Sequence, residues 1–398
     1  MSAFTPRLGD RSLFPTLKAR AYLNHAALSP PSLPVLEAVE GCLGDLAARG
    51  LHAAIEQRFA REPLRAKLAQ LMGARSVDIG FVQNTTAGVI TVARSIRFRA
   101  GERILVFEGE FPANVTPWQL VAQDEQLELS FVSLDGFSRS VDEGLLDLER
   151  ELRCGARLVA VSAVQFQTGL RMPLAEMAAL CHRFGAELFV DAIQALGAVP
   201  IDVGASEIDY LVAGGHKFLM GLEGAGVLYV RPRALGELSL GLSGWTAHER
   251  GFDFLIEGAG HLRYDRPLKR EVSFVEQGAL STLGYAALDA AVDLLLSLGV
   301  EAIHEHLNGY LDRLEPALEE LGCQSVRKPD LARRSATLSV TLPEGASLKA
   351  VAHSLNQQGV AVSTPDGYLR FAPHWPNSWD EVPFVTQVTR TALRGEAP

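Results

Sequence analysis

Cysteine is scarce in this sequence: four among 398 residues, at Cys42, Cys154, Cys181 and Cys323. They stand far apart and form no Cys-x-x-Cys pair, which excludes a zinc ribbon or a disulfide framework as the organising device. Clusters of basic residues are also missing. Lys and Arg total 37 against 47 Asp and Glu, a formal net charge of −10. The electrostatic footprint of a nucleic-acid or anionic-membrane binder is therefore absent, and neither partner is expected. Long uninterrupted apolar runs are lacking too. The most apolar stretch, residues 284–300, carries Asp289 and Asp293 and cannot cross a bilayer cheaply. The opening residues, Met1 to Arg7, hold no charged segment leading into an apolar run, so no signal peptide is expected and a cytoplasmic location is. No metal site is expected either: HExxH is absent, and His304 and His306, two apart, would point to different faces of a helix.

What remains is a chain with 47% hydrophobic and 21% charged residues. It is long enough to bury a large core, which rules out disorder over most of its length. Short runs rich in Val, Ile, Leu and Phe read as buried strands at 78–82, 103–107, 127–132, 157–164, 187–191, 210–213 and 227–230. Helical periodicity lies between several of them, at 87–96, 141–152 and 173–184. Alternation of this kind predicts an α/β fold with a mostly parallel sheet and helices on both faces. Pro173 suits a helix start and Gly185 its left-handed stop. Residues 30–50 and 55–73 read as helices stopped by Gly50 and Gly73. Near residue 280 the texture changes to long helices and short strands, an α+β unit. The expected organisation is an N-terminal segment 1–20, a large domain 21–280 and a small domain 281–398. The irregular stretch 231–276 is longer than an ordinary connection and reads as functional or mobile.

Ligands of open α/β sheets sit beyond the carboxyl ends of the strands, so the residues following each strand carry the chemistry. After 78–82 come Asn84, Thr85, Thr86 and Gly88, opening a helix. Such a start can hold a phosphate on free N–H groups, or it can simply be a capped helix. Strand 187–191 ends in Asp191, a carboxylate that needs a cation beneath a cleft, whether in a structural ion pair or a functional one. After 210–213 comes Gly214-Gly215-His216-Lys217. A lysine in an apolar turn loses hydration, its pKa falls, and it becomes a nucleophilic amine; in an exposed loop it would do neither. Taken together, an anion cradle, a strand-end aspartate and a nucleophilic lysine are the parts pyridoxal phosphate needs.

The run Val190-Asp191-Ala192-Ile193-Gln194-Ala195-Leu196-Gly197-Ala198 followed by Gly215-His216-Lys217 resembles the class V aminotransferases of fold type I. That family also holds cysteine desulfurases, kynureninase-like lyases and isopenicillin N epimerase-like enzymes. The resemblance runs from Tyr22-Leu23-Asn24-His25 to Arg370. It implies pyridoxal 5'-phosphate as cofactor, carried by Lys217 as a Schiff base. Asp191 would pair with the pyridine nitrogen and Gln194 with the ring oxygen. Thr85, Thr86 and His216 would hold the phosphate, and Phe111 would stack on the ring. Arg370, in Gly367-Tyr368-Leu369-Arg370-Phe371, would grip a substrate carboxylate, with Asn24 and His25 nearby. A homodimer is implied as well, with the stretch around Gly244-Trp245-Thr246 reaching the partner. The sequence departs from the family at Gly214, often a phosphate-binding serine, at Gly278-Ala279, often Gly-Thr, and at Phe166, sometimes asparagine.

A desulfurase needs a cysteine shortly before the carboxylate-binding arginine, and residues 355–370 hold none. Desulfurases also resemble one another in a histidine where Phe111 stands. The expectation is an aminotransferase acting on a small-molecule amino acid. A C–S or C–C lyase, or an epimerase, of the same family is the alternative. Outside the family, a dehydrogenase is disfavoured, because the glycine-rich residues 221–226 lead into a strand rather than out of one. A non-catalytic binding protein would have no use for Lys217, Asp191 and Arg370 together.

Overall fold

The structure, a computed structural model, describes residues 5–395. Met1 to Phe4, part of the opening segment read for a signal peptide, lie outside the described residues, as do 396–398.

Seven short apolar segments form one sheet: β1 (Ile79–Val82), β2 (Arg103–Phe107), β3 (Glu128–Val132), β4 (Leu158–Ser162), β5 (Glu187–Asp191), β6 (Tyr210–Gly214) and β7 (Gly226–Val230). Their order across the sheet is β1-β7-β6-β5-β4-β2-β3. All neighbours are parallel except β7, which runs antiparallel to both β6 and β1. The expected mostly parallel α/β sheet is thus present. In β4, β6 and β7 every residue is buried, as helices on both faces demand. The edge strand β3 instead exposes Glu128 and Phe131. The β1–β7 pairing is long in sequence: Ile79 lies opposite Tyr229 and Val82 opposite Gly226.

Side chains alternate between the faces with the two-residue period of a strand. Along β5, Leu188 and Val190 enter one core and Phe189 the other. The first core is covered by α1 (Leu33–Arg49), α3 (Arg61–Leu71), which follows α2 (Leu51–Phe59), α6 (Val141–Arg153), α7 (Leu174–Arg183) and α8 (Thr282–Leu298). The second is covered by α4 (Thr85–Ser95) and α5 (Thr116–Glu125), through Val89, Val92, Trp118 and Val121. Gly185 has φ +75, the left-handed stop expected of it. The helix expected at 55–73 differs from what forms: it starts at Leu51, directly after Gly50, and breaks at Ala60.

A smaller antiparallel sheet contains β8 (Gln324–Ser325), β9 (Leu338–Thr341) and β10 (Leu369–Phe371), with β9 in the centre. Helices α10 (Leu348–Gln357) and α11 (Val382–Arg394) pack on it. The long helix α9 (Val300–Glu319) joins the two cores: Ile303 and Leu307 serve the large sheet, Tyr310 and Leu314 the small one. The change of texture near 280 therefore marks the start of a helix that still covers the large sheet. The N-terminal Ala21–Tyr22 pairs in parallel with Val360–Ala361, tying the chain's start to the small core. Among the described residues no helix is long and apolar enough to cross a membrane.

Candidate active site

The carboxyl ends of β1, β2, β4, β5 and β6 share one edge of the sheet, where a cleft of about 570 Å³ opens. At the end of β1, the Asn84 Oδ1 accepts the Ala87 N–H at 2.9 Å and caps α4. Capping is thus done by Asn84, which leaves first-turn N–H groups of Thr85 and Thr86 for a ligand. Thr85 is buried and its Oγ1 accepts the Gly214 N–H at 2.9 Å; Thr86 is exposed. Both line the cleft.

Asp191 ends β5 in the floor, 2% exposed. Its Oδ1 accepts the Ile193 N–H at 3.0 Å, and among the described residues no ion pair holds it. Burial pushes its pKa up; the Ile193 bond and Lys217 oppose that, and the nearby Glu110 carboxylate adds to it. Lys217 follows β6 with its Nζ 5.5 Å from the Phe111 ring centroid. It too has no ion pair among the described residues. Burial pushes its pKa down, Asp191 pulls it back up, and Arg370 lowers it further. His216 is half-buried and held low by burial and then by Lys217. Ser29 clamps this turn: its N–H donates to the His216 carbonyl at 2.9 Å and its hydroxyl to the Lys217 carbonyl at 2.6 Å.

Arg370 enters from β10, only 5% exposed. Its Nη1 donates to the Phe166 carbonyl at 2.7 Å, and its Nε and Nη2 to the Ser363 hydroxyl at 3.2 and 3.0 Å. These partners are neutral, so the guanidinium charge stays uncompensated, and burial lowers its pKa to about 10. Gln194 lines the cleft with its Nε2 donating to the Ala26 carbonyl at 3.1 Å. Phe111 meets Phe166 edge-on at 5.3 Å and is 46% exposed, too open for a core residue.

Asn24 and His25 are placed differently. The cleft is lined by the next two residues, Ala26 and Ala27. His25 is buried behind them, its Nδ1 2.7 Å from the Ser29 hydroxyl and its ring against Tyr22 and His374. Asn24 bridges to Ala372, and its Oδ1 is buried without a hydrogen-bond partner.

Glu110 escaped the sequence reading. It is buried and accepts from the Ser162 N–H at 2.6 Å, Gln165 Nε2 at 2.9 Å and Asn114 Nδ2 at 3.1 Å, with the Ser162 hydroxyl as a fourth partner. Burial raises its pKa and these bonds oppose the rise. Its only sequence signal is that it precedes Phe111.

The residues present fit pyridoxal phosphate. A buried carboxylate with one oxygen committed can pair with a ring N–H. An unpaired amine can take an aldehyde. An open aromatic face can stack, and uncommitted N–H groups at the start of an eleven-residue helix can hold a phosphate.

The comparisons agree with that fit. The Aminotransferase class-V family model matches residues 21–369. A cysteine desulfurase of Dickeya dadantii is 33% identical over 303 residues, 72% of this chain and 68% of that protein. An uncharacterized aminotransferase, YcbU of Bacillus subtilis, is 28% identical over 381 residues, 94% of each chain. The solved apo structure of a cysteine desulfurase from Thermococcus onnurineus superposes with a TM-score of 0.82 at 26% identity, covering 94% of this chain and 95% of that one. From fold, cleft and sequence together, this chain belongs to the class V aminotransferase family, and pyridoxal phosphate is its cofactor.

Proposed function

We propose that this protein is an aminotransferase that takes an α-amino acid by its carboxylate. The observation that carries this reading is Arg370, a buried cation with only neutral partners in the same cleft as Lys217 and Asp191. A guanidinium in that state accepts a carboxylate in a bidentate fork and orients the substrate's Cα. When bound, the cofactor supplies a sink for the electron pair left at Cα. Lys217 would hold the cofactor, and its free amine would move the proton at Cα. Asp191 keeps a proton on the ring nitrogen, and Gln194 donates to the ring oxygen with the N–H that Ala26 leaves free. Phe111 covers the ring; Thr85, Thr86 and His216 hold the phosphate. His25 acts at one remove, setting Ser29, which holds the Lys217 carbonyl. Support for transfer over lysis comes from YcbU, a relative named an uncharacterized aminotransferase, which aligns over 94% of each chain.

The relatives named cysteine desulfurase favour a second reading, a C–S lyase. Persulfide chemistry needs a thiol at the substrate, and no cysteine lines the cleft. Cys323 sits in the small core with burial raising its pKa to about 11, so its thiolate is scarce at neutral pH. Turnover in a Cys323→Ala variant is expected to equal the wild type; loss of activity would restore the desulfurase reading.

Product stoichiometry separates the readings. With a reactive amino acid and no added keto acid, an aminotransferase releases one equivalent of keto acid per active site and no ammonia. Continuous keto acid with ammonia, or continuous alanine without ammonia, would replace the proposal by a lyase; inversion at Cα alone would replace it by an epimerase; and no change in any amino acid would leave a binding protein. We also propose a cytoplasmic homodimer; sedimentation as a concentration-independent monomer would overturn the dimer.

A further inference from the structure

A second cavity of about 250 Å³ opens at the start of α7, away from the cleft. At roughly 30 Å³ per water it holds about eight waters or a small organic molecule. Two arginines line it, Arg171 and Arg333, joined through the Arg171 N–H and the Arg333 carbonyl at 3.1 Å. Arg171 commits one donor, to the Pro200 carbonyl at 3.2 Å. Arg333 is 8% exposed and bonds only to the carbonyls of Phe137 and Arg139. Neither forms an ion pair among the described residues. The two carboxylates on the rim leave them so: Glu176 is exposed, and the Asp202 Oδ1 accepts the Ala205 N–H at 2.8 Å. The same wall carries the first turn of α7, where the Leu174 N–H donates to the Met172 carbonyl at 3.0 Å and the Ala175 N–H has no side-chain cap. Two guanidiniums without a carboxylate partner, one on a nearly fully buried residue, therefore line one small cavity together with the uncapped Ala175 N–H. Burying such charge is costly unless an anion meets it.

We propose that this cavity binds a small oxyanion, a carboxylate or phosphate group of a metabolite, on Arg171, Arg333 and the start of α7. The site does not depend on which reaction the cleft performs. It is linked to the cleft all the same: Arg171 bridges to Val164 at the base of the turn whose Phe166 carbonyl holds Arg370.

The test is calorimetric titration of the holoenzyme at low ionic strength with inorganic phosphate and, separately, with succinate. At least one of them is expected to saturate one site, beyond any carboxylate binding at Arg370, with a Kd on the order of 1 mM or tighter. Whichever binds tighter identifies the anion as phosphate or carboxylate. Arg171→Gln is expected to weaken binding about tenfold or more. Ala175→Glu, an exposed change that adds a carboxylate at the cavity without touching an arginine, is expected to do the same. Arg370→Gln, which disables only the cleft's anion grip, is expected to leave it unchanged. Absence of saturable binding in the wild type, full affinity in Arg171→Gln, or loss in Arg370→Gln would each overturn the proposal.

Discussion

Alanine at position 217 is expected to lower turnover by about 10⁴-fold or more while leaving the fold intact. The amine has two tasks that no neighbour can take over. Among the described residues it is the only lysine lining the cleft, and of the other titratable groups there, Asp191, His216 and Arg370, none is a primary amine. Its lowered pKa keeps a larger share of the amine uncharged at neutral pH, which is the nucleophilic form. Borohydride reduction of the wild-type holoenzyme followed by peptide mass mapping is expected to place a pyridoxyl adduct on the peptide containing Lys217, and Lys217→Ala should give no adduct. Turnover within tenfold of wild type in that variant would remove the basis of the enzymatic reading.

The second large effect is at Asp191. Asparagine keeps the shape and can still accept the Ile193 N–H, but it cannot hold a proton on a ring nitrogen. Turnover is expected to fall by about 10²–10³-fold. Stability should move the other way. Burial raises the Asp191 pKa, so above the ordinary aspartate value near 4 the folded apoprotein retains a proton that the unfolded chain has released. Stability contributed by this group therefore falls as pH rises from there through the folded pKa. Asparagine abolishes that slope. Apo Asp191→Asn is expected to melt above apo wild type at pH 8 and level with it near pH 4. Some of the slope survives in both proteins, because Glu110 is raised for the same reason. An apo variant that melts below the wild type at pH 8 would show that Asp191 is stabilised, not strained, by its surroundings.

Lys217, Asp191, Thr85 and Thr86 could be read as candidates from the chain because each follows a strand whose apolar run is unmistakable, and sheet geometry sends all those ends to one edge; Gln194 came only through the family resemblance. Arg370 was legible only through its motif, since it arrives from a different sheet. Glu110 was not legible: Ser162, Gln165 and Asn114 meet it from three segments, and no local pattern announces that convergence. Asn24 and His25 show the finest grain that sequence resolves. His25 directly precedes the cleft-lining Ala26, and backbone direction, which sequence does not carry, decides which side chains face inward. The break at Ala60 did carry a signal: Pro63, in the first turn of α3, has no N–H to give to the Phe59 carbonyl, so the helix ends there and restarts.

The antiparallel union of β1 with β7 imposes a delay during synthesis. Ile79 cannot find Tyr229 until the intervening chain has left the ribosome, which at roughly 5–20 residues per second takes on the order of ten seconds. Until then the edge of β1 that pairs with β7 stays open, and Glu276, whose Oε1 accepts the Phe81 N–H, emerges later still. A nascent chain of this kind is a natural client for a holding chaperone, and its vulnerable interval is set by topology rather than by any single weak contact.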